Sequence, residues 1–80
     1  MPRLTPTERR ALADAVHTLR ARERLSQQEV ADRAGLGRNF VSDLEAGRRR
    51  PSFDGVVLVA RGIGVPLGEL IALYEILAER

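Results

Sequence analysis

Apolar residues recur at intervals of three and four along most of this chain, the spacing of amphipathic helices. Residues of helix-capping type bound each run. Thr5-Pro6-Thr7-Glu8 is a capping box with proline at the first helical position, so it opens a helix running to about Glu23. Leu12, Val16 and Leu19 form its inward stripe. Ser26 to Glu29 is a second capping box, and Gly35 ends that helix as a left-handed cap, with Val30, Ala31 and Ala34 inward. Gly37 caps a third helix that runs to about Ala46, with Val41 and Leu44 inward and Gly47 as its stop.

Arg48 to Pro51 reads as a loop. Ser52 caps a fourth helix that Gly64 stops, and Phe53, Val56, Val57, Ala60 and Ile63 are expected as its core stripe. Pro66 opens a fifth helix to about Glu79, with Leu67, Leu70, Ile71, Tyr74 and Ala78 on one face. No strand signal, internal repeat or low-complexity stretch stands out beyond the arginine run. The expected fold is all-α: one compact five-helix domain over residues 1–80, in which helices two and three form a helix-turn-helix.

Eighty residues allow one domain with one modest core, and an apolar content of 44% is that of a globular chain. No apolar run approaches the roughly 18 residues of a membrane span, and no signal-peptide pattern opens the chain. A cytoplasmic, nucleoid-associated protein of a bacterium or phage is the expectation. There is no cysteine, and His17 is the only histidine, so neither thiolate nor histidine-cluster metal sites can form. No glycine-rich phosphate loop is present; the glycines sit at helix stops. Enzymatic activity, a cofactor and a small-molecule ligand are therefore not expected.

The formal charge is +2, and all 13 basic residues are arginines. Their distribution is uneven. Residues 1–64 carry 12 arginines against 8 acids, a net +4, while residues 65–80 carry Arg80 against Glu69, Glu75 and Glu79, a net −2. The acidic tail would repel phosphate, so a nucleic-acid face belongs to the first part of the chain. Arg48-Arg49-Arg50 follows directly on the third helix, where a basic run can neutralise phosphates without reading sequence.

Four separated features resemble the lambda Cro/repressor-type, or Xre, helix-turn-helix family over roughly residues 12–71. They are Leu25-Ser26-Gln27-Gln28-Glu29-Val30-Ala31, Ala34-Gly35-Leu36, Val41-Ser42-Asp43-Leu44-Glu45-Ala46-Gly47, and Ala60-Arg61-Gly62-Ile63-Gly64-Val65-Pro66-Leu67. The resemblance implies a lambda-repressor-like fold and a two-fold dimer on a DNA operator. The size and layout are similar to controller proteins of restriction–modification systems, which regulate their own operon. Small phage repressors and antitoxins share that layout. The rival reading is an antitoxin or protein-interaction module whose main partner is a protein. An antitoxin usually needs an added toxin-binding segment, and only Met1 to Thr5 and the last few residues are spare.

In such a fold the third helix lies in the major groove, with its first residues nearest the base edges. Arg38 can bond guanine and Asn39 adenine, each bidentately, and Ser42 and Asp43 follow one turn on. Arg38 could instead serve only as a phosphate contact. Asp43 is compatible with nearby phosphates only by accepting from cytosine or by pairing with an arginine. Gln27 is where the resemblance implies a phosphate contact that also steadies helix three, and Gln28 and Phe40 are further backbone candidates. Packing against helix two is the alternative for Phe40. Arg48, Arg49 and Arg50 complete the expected phosphate contacts. The resemblance also implies a structural ion pair between Arg20 and Glu45.

Helix five (about 66–79) carries more apolar residues than one buried stripe needs. Leu73 and Ile76 project outside that stripe and Leu77 lies on its edge, and Leu58 on helix four points away from its own. Such an excess suggests a partner surface, and a homodimer is the natural partner. Asp32 and Glu29, near helix two, are the acidic residues placed to meet RNA polymerase.

Overall fold

A computed structural model describes residues 2–80; Met1, the first residue of the spare N-terminal segment, lies outside the described residues. Five helices follow one another: α1 (Pro6–Arg22), α2 (Gln27–Ala34), α3 (Arg38–Glu45), α4 (Phe53–Ile63) and α5 (Leu67–Ala78). Both capping boxes are formed. The Thr5 and Ser26 side chains accept from the amides of Glu8 and Glu29, whose carboxylates accept from the Thr5 and Ser26 amides in return. Glu29 is thereby held below its ordinary carboxyl range, chiefly by the Ser26 amide. The Ser52 hydroxyl caps α4 through the Gly55 amide. Pro66 is the residue before α5 rather than its first turn.

The helix-turn-helix corner depends on Gly35. Its φ is +71°, a conformation that a Cβ disfavours, and the amides of Gly35 and Leu36 return to Asp32 O and Ala31 O. The chain then reverses into α3 without a longer loop. α1 packs along α5 and against α3, while α2 lies between α3 and α4. Val16, Val30, Val41, Leu44, Val59, Ile63 and Leu70 are the largest fully buried side chains, and each of the five helices contributes at least one. Arg22 pairs with Glu69 and Arg80 with Asp14, so both ends of α5 are tied to α1.

α2 and α4 approach so closely that a Cβ on Gly62 would lie 2.6 Å from Val30 O and 2.9 Å from Ala34 Cβ. Glycine is what lets the two backbones meet there.

The expected placements of Phe53, Val57, Leu73 and Ile71 require correction. Phe53 is 69% exposed, and Val57 is not packed against the core; Val59, absent from the expected stripe, is fully buried. The stripe of α4 is therefore Val56, Val59, Ala60 and Ile63. On α5, Leu73 lies against the core rather than outside its stripe, and Leu77 packs there too. Ile71, expected inward, lines a surface groove with Leu4, Phe53 and Tyr74 instead.

Candidate nucleic-acid interface

The N-terminal ends of α2 and α3 open onto one shared concavity of about 570 Å³. Gln27 and Gln28 are the first residues of α2, and Arg38 and Asn39 the first of α3. Together with Ser26, Ser42 and Arg20 they line this surface. Arg38 and Asn39 are exposed, and Ser42 follows one turn later, half-buried. Because Val41 and Leu44 hold the opposite face of α3 in the core, these polar residues can only face outward. Gly37 gives α3 no side-chain cap.

The end of α3 is anchored by Glu45, whose side chain is only 6% exposed. Arg20 on α1 donates from Nε to Oε2 (2.6 Å) and from Nη2 to Oε1 (2.8 Å). Gln27 Nε2 donates to Oε1 at 3.3 Å, and His17 Nδ1 lies 3.0 Å from the same oxygen. Burial by itself would raise the Glu45 carboxyl. The hydrogen bonds from Arg20, His17 and Gln27 outweigh it and hold the group below its ordinary range. Arg20 in turn is raised, first by its bond to Glu45. A second arginine, Arg10, donates to the Glu45 main-chain oxygen at 2.6 Å, closing the C-terminal end of α3. Sequence reasoning did not single out His17 or Arg10. Their signal was spacing: residues 10, 17 and 20 fall on one stripe of α1.

Several expected contacts sit elsewhere. Asp43 does not line the concavity. Its carboxylate is paired with Arg48 (3.4 Å) and, more distantly, Arg49 (3.9 Å). Arg49 lies over the Phe40 ring, 4.4 Å from guanidinium carbon to centroid, and its Nε is buried without a partner. Phe40 itself is half-buried against the core. Its Cζ would be 2.7 Å from a Cβ on Gly55, so the ring packs on α4. Of the arginine run, Arg48 and Arg50 are exposed. Gln28 donates to Asp32 at 2.7 Å, and Glu29 is engaged in the Ser26 cap, so both acidic residues of α2 have local partners.

Two short helices joined at a left-handed glycine, with an arginine and an asparagine leading the second, fit a helix-turn-helix reading head. A family model described as "Helix-turn-helix domain" matches residues 11–73, most of the chain. The chain belongs to the Xre-type helix-turn-helix family. Members of that family are DNA-binding transcription regulators rather than enzymes.

Among relatives of this chain, the cryptic phage CTXphi transcriptional repressor RstR of Vibrio cholerae is 35% identical over 60 residues, 75% of the chain. The match spans 54% of that repressor's length. Among solved structures, the restriction-modification controller protein C.AhdI from Aeromonas hydrophila is 27% identical, with a TM-score of 0.73. That likeness covers 78% of this chain and 94% of C.AhdI. The clp gene regulator ClgR from Corynebacterium glutamicum superposes with a TM-score of 0.83 over 98% of this chain and 81% of its own. At 22% identity the ClgR likeness is one of fold. No single helix among the described residues is long and apolar enough to cross a membrane.

Proposed function

We propose that this regulator binds a two-fold DNA operator as a homodimer and controls its own transcription unit, in the manner of a restriction–modification controller protein. The carrying observation is the single concavity that joins the start of α2 to the reading face of α3. Arg38 and Asn39 read base edges in the major groove, with Ser42 beside them. Gln27, backed by Glu45, holds a phosphate at the α2 N-terminus, where amide donors add to the attraction. Gln28 flanks it. Arg48 and Arg50 neutralise phosphates beyond the recognition helix. Asp43 stays paired with Arg48 until DNA competes for that arginine, and then accepts from a cytosine amino group.

A dimer would set two recognition helices about 34 Å apart, one turn of duplex. Leu58 and the 65%-exposed Ile76 are the outward apolar residues that support it; Leu73 and Leu77 lie beside them, partly covered by their own core. The resemblance in layout to C.AhdI supports the controller reading, and the identity to RstR supports a repressing role at the operator.

The test is a gel-shift titration at about 150 mM salt with DNA from upstream of the gene and an unrelated duplex. Wild type should bind the upstream DNA selectively, and Arg38→Ala should lose that preference. Equal weak binding to both duplexes would overturn the reading and favour a protein partner.

A further inference from the structure

α4 carries apolar residues beyond its core stripe. At about 100° per residue, Val56, Val59, Ala60 and Ile63 project onto the core side; Asp54, Leu58 and Arg61 project opposite, with Val57 on their flank and Phe53 at the edge of the core stripe. Here the outer face is open: Phe53 is 69% exposed, and with Val57 and Leu58 it lines a shallow groove of about 400 Å³. Asp54 and Arg61 are the charged residues of the same groove. Neither has an ion-pair partner among the described residues.

The order of these residues is informative. Asp54 stands three residues before Val57, and Arg61 three after Leu58. The stripe is therefore antisymmetric in charge about the point between Val57 and Leu58. Two copies of such a helix, crossed antiparallel by a two-fold axis through that point, bring each Asp54 opposite the other copy's Arg61. The apolar pair lies on the axis, and the two charge pairs close its ends. No parallel arrangement does this, since it would set like charges side by side.

We propose that the outer face of α4 docks on the same face of a second copy, antiparallel, with Asp54 of each chain paired to Arg61 of the other. This rests on the homodimer reading above and names its surface. Of the residues carrying the homodimer reading, this surface takes in Leu58 and adds Phe53 and Val57, while Ile76 on α5 lies outside it.

Sedimentation equilibrium on the full chain tests it with Asp54→Arg, Arg61→Asp, the double variant and an equal mixture of the two single variants. Each single variant should raise the dimer dissociation constant by about tenfold or more, because like charges then meet across the axis. Circular dichroism should show unchanged helix content. The mixture and the double variant should both recover dimer, since each restores opposite charges at both ends. Single variants that dimerise like wild type, or a mixture that stays monomeric, would overturn the antiparallel pairing while leaving a dimer through another surface. A wild type that remains monomeric at high micromolar concentration would overturn the homodimer reading itself and assign this face to a different protein.

Discussion

Arg20 on α1 takes both oxygens of the Glu45 carboxylate at the end of α3, at 2.6 and 2.8 Å, with both side chains largely buried. This bidentate pair fixes the end of the recognition helix, and Gln27 shares one of its oxygens. Removing the charge from Glu45 leaves Arg20 buried without an anion. Glu45→Gln should therefore cost about 2–3 kcal/mol, below the roughly 3–5 for outright loss of a partner because glutamine keeps an acceptor. For a domain of this size the melting temperature should fall by on the order of 10 °C. An unchanged melt would refute a stabilising role for the pair.

The same carboxylate predicts a pH dependence. Its folded-state value lies below the ordinary 4.5, so the unfolded chain binds the proton more readily. The stabilisation is complete above about 4.5 and is lost as pH falls through the lower folded-state value. Denaturant titrations from neutral pH downward should show wild type losing stability in acid. Glu45→Gln should start lower and lose less over the same range.

Two glycines should respond in opposite directions to alanine. At Gly62 the added methyl meets Val30 O and Ala34 Cβ, so α2 and α4 must separate, at a cost of about 1–3 kcal/mol. At Gly68, in the first turn of α5, nothing lies within 4 Å, and the change should be neutral or stabilise by up to about 0.5–1 kcal/mol. Urea unfolding curves of the two variants check the sign of each.

The arginine run should divide by role. Arg50 is exposed and carries no ion pair among the described residues, so Arg50→Ala should reduce the salt slope of DNA binding by about 1 and leave thermal stability unchanged. Arg49 lies on Phe40 and near Asp43, so Arg49→Ala should lower the melting temperature as well. Binding at several salt concentrations, alongside thermal melts, separates the two.

Helix starts were legible because capping is local: Thr5 with Glu8 and Ser26 with Glu29 are each settled within four residues. The placing of Gln27, Arg38 and Asn39 on one surface was legible for the same reason, since each stands at a helix start. α4 was not, because its apolar residues extend well beyond one stripe and do not mark where the inward face ends. Phe53 was therefore expected in the core where Val59 stands. The packing of Phe40 on α4 was not legible, because its partners, Gly55 and Arg49, are set by how α3 meets α4, a tertiary fact that no short window holds. The grip of Arg10 and His17 on Glu45 joins residues about thirty positions apart, so their shared stripe on α1 did not by itself name the partner.

α3 divides its labour cleanly between its two sides. Val41, Leu44 and Glu45 hold it to the domain, while Arg38, Asn39 and Ser42 carry none of that attachment. On the proposed reading, substitutions at these three outward positions should leave the folded domain intact, so the recognised sequence can drift without passing through unfolded intermediates. A lineage of such regulators can acquire new operators one residue at a time, each step viable, and two copies in one cell can diverge until neither answers to the other's DNA.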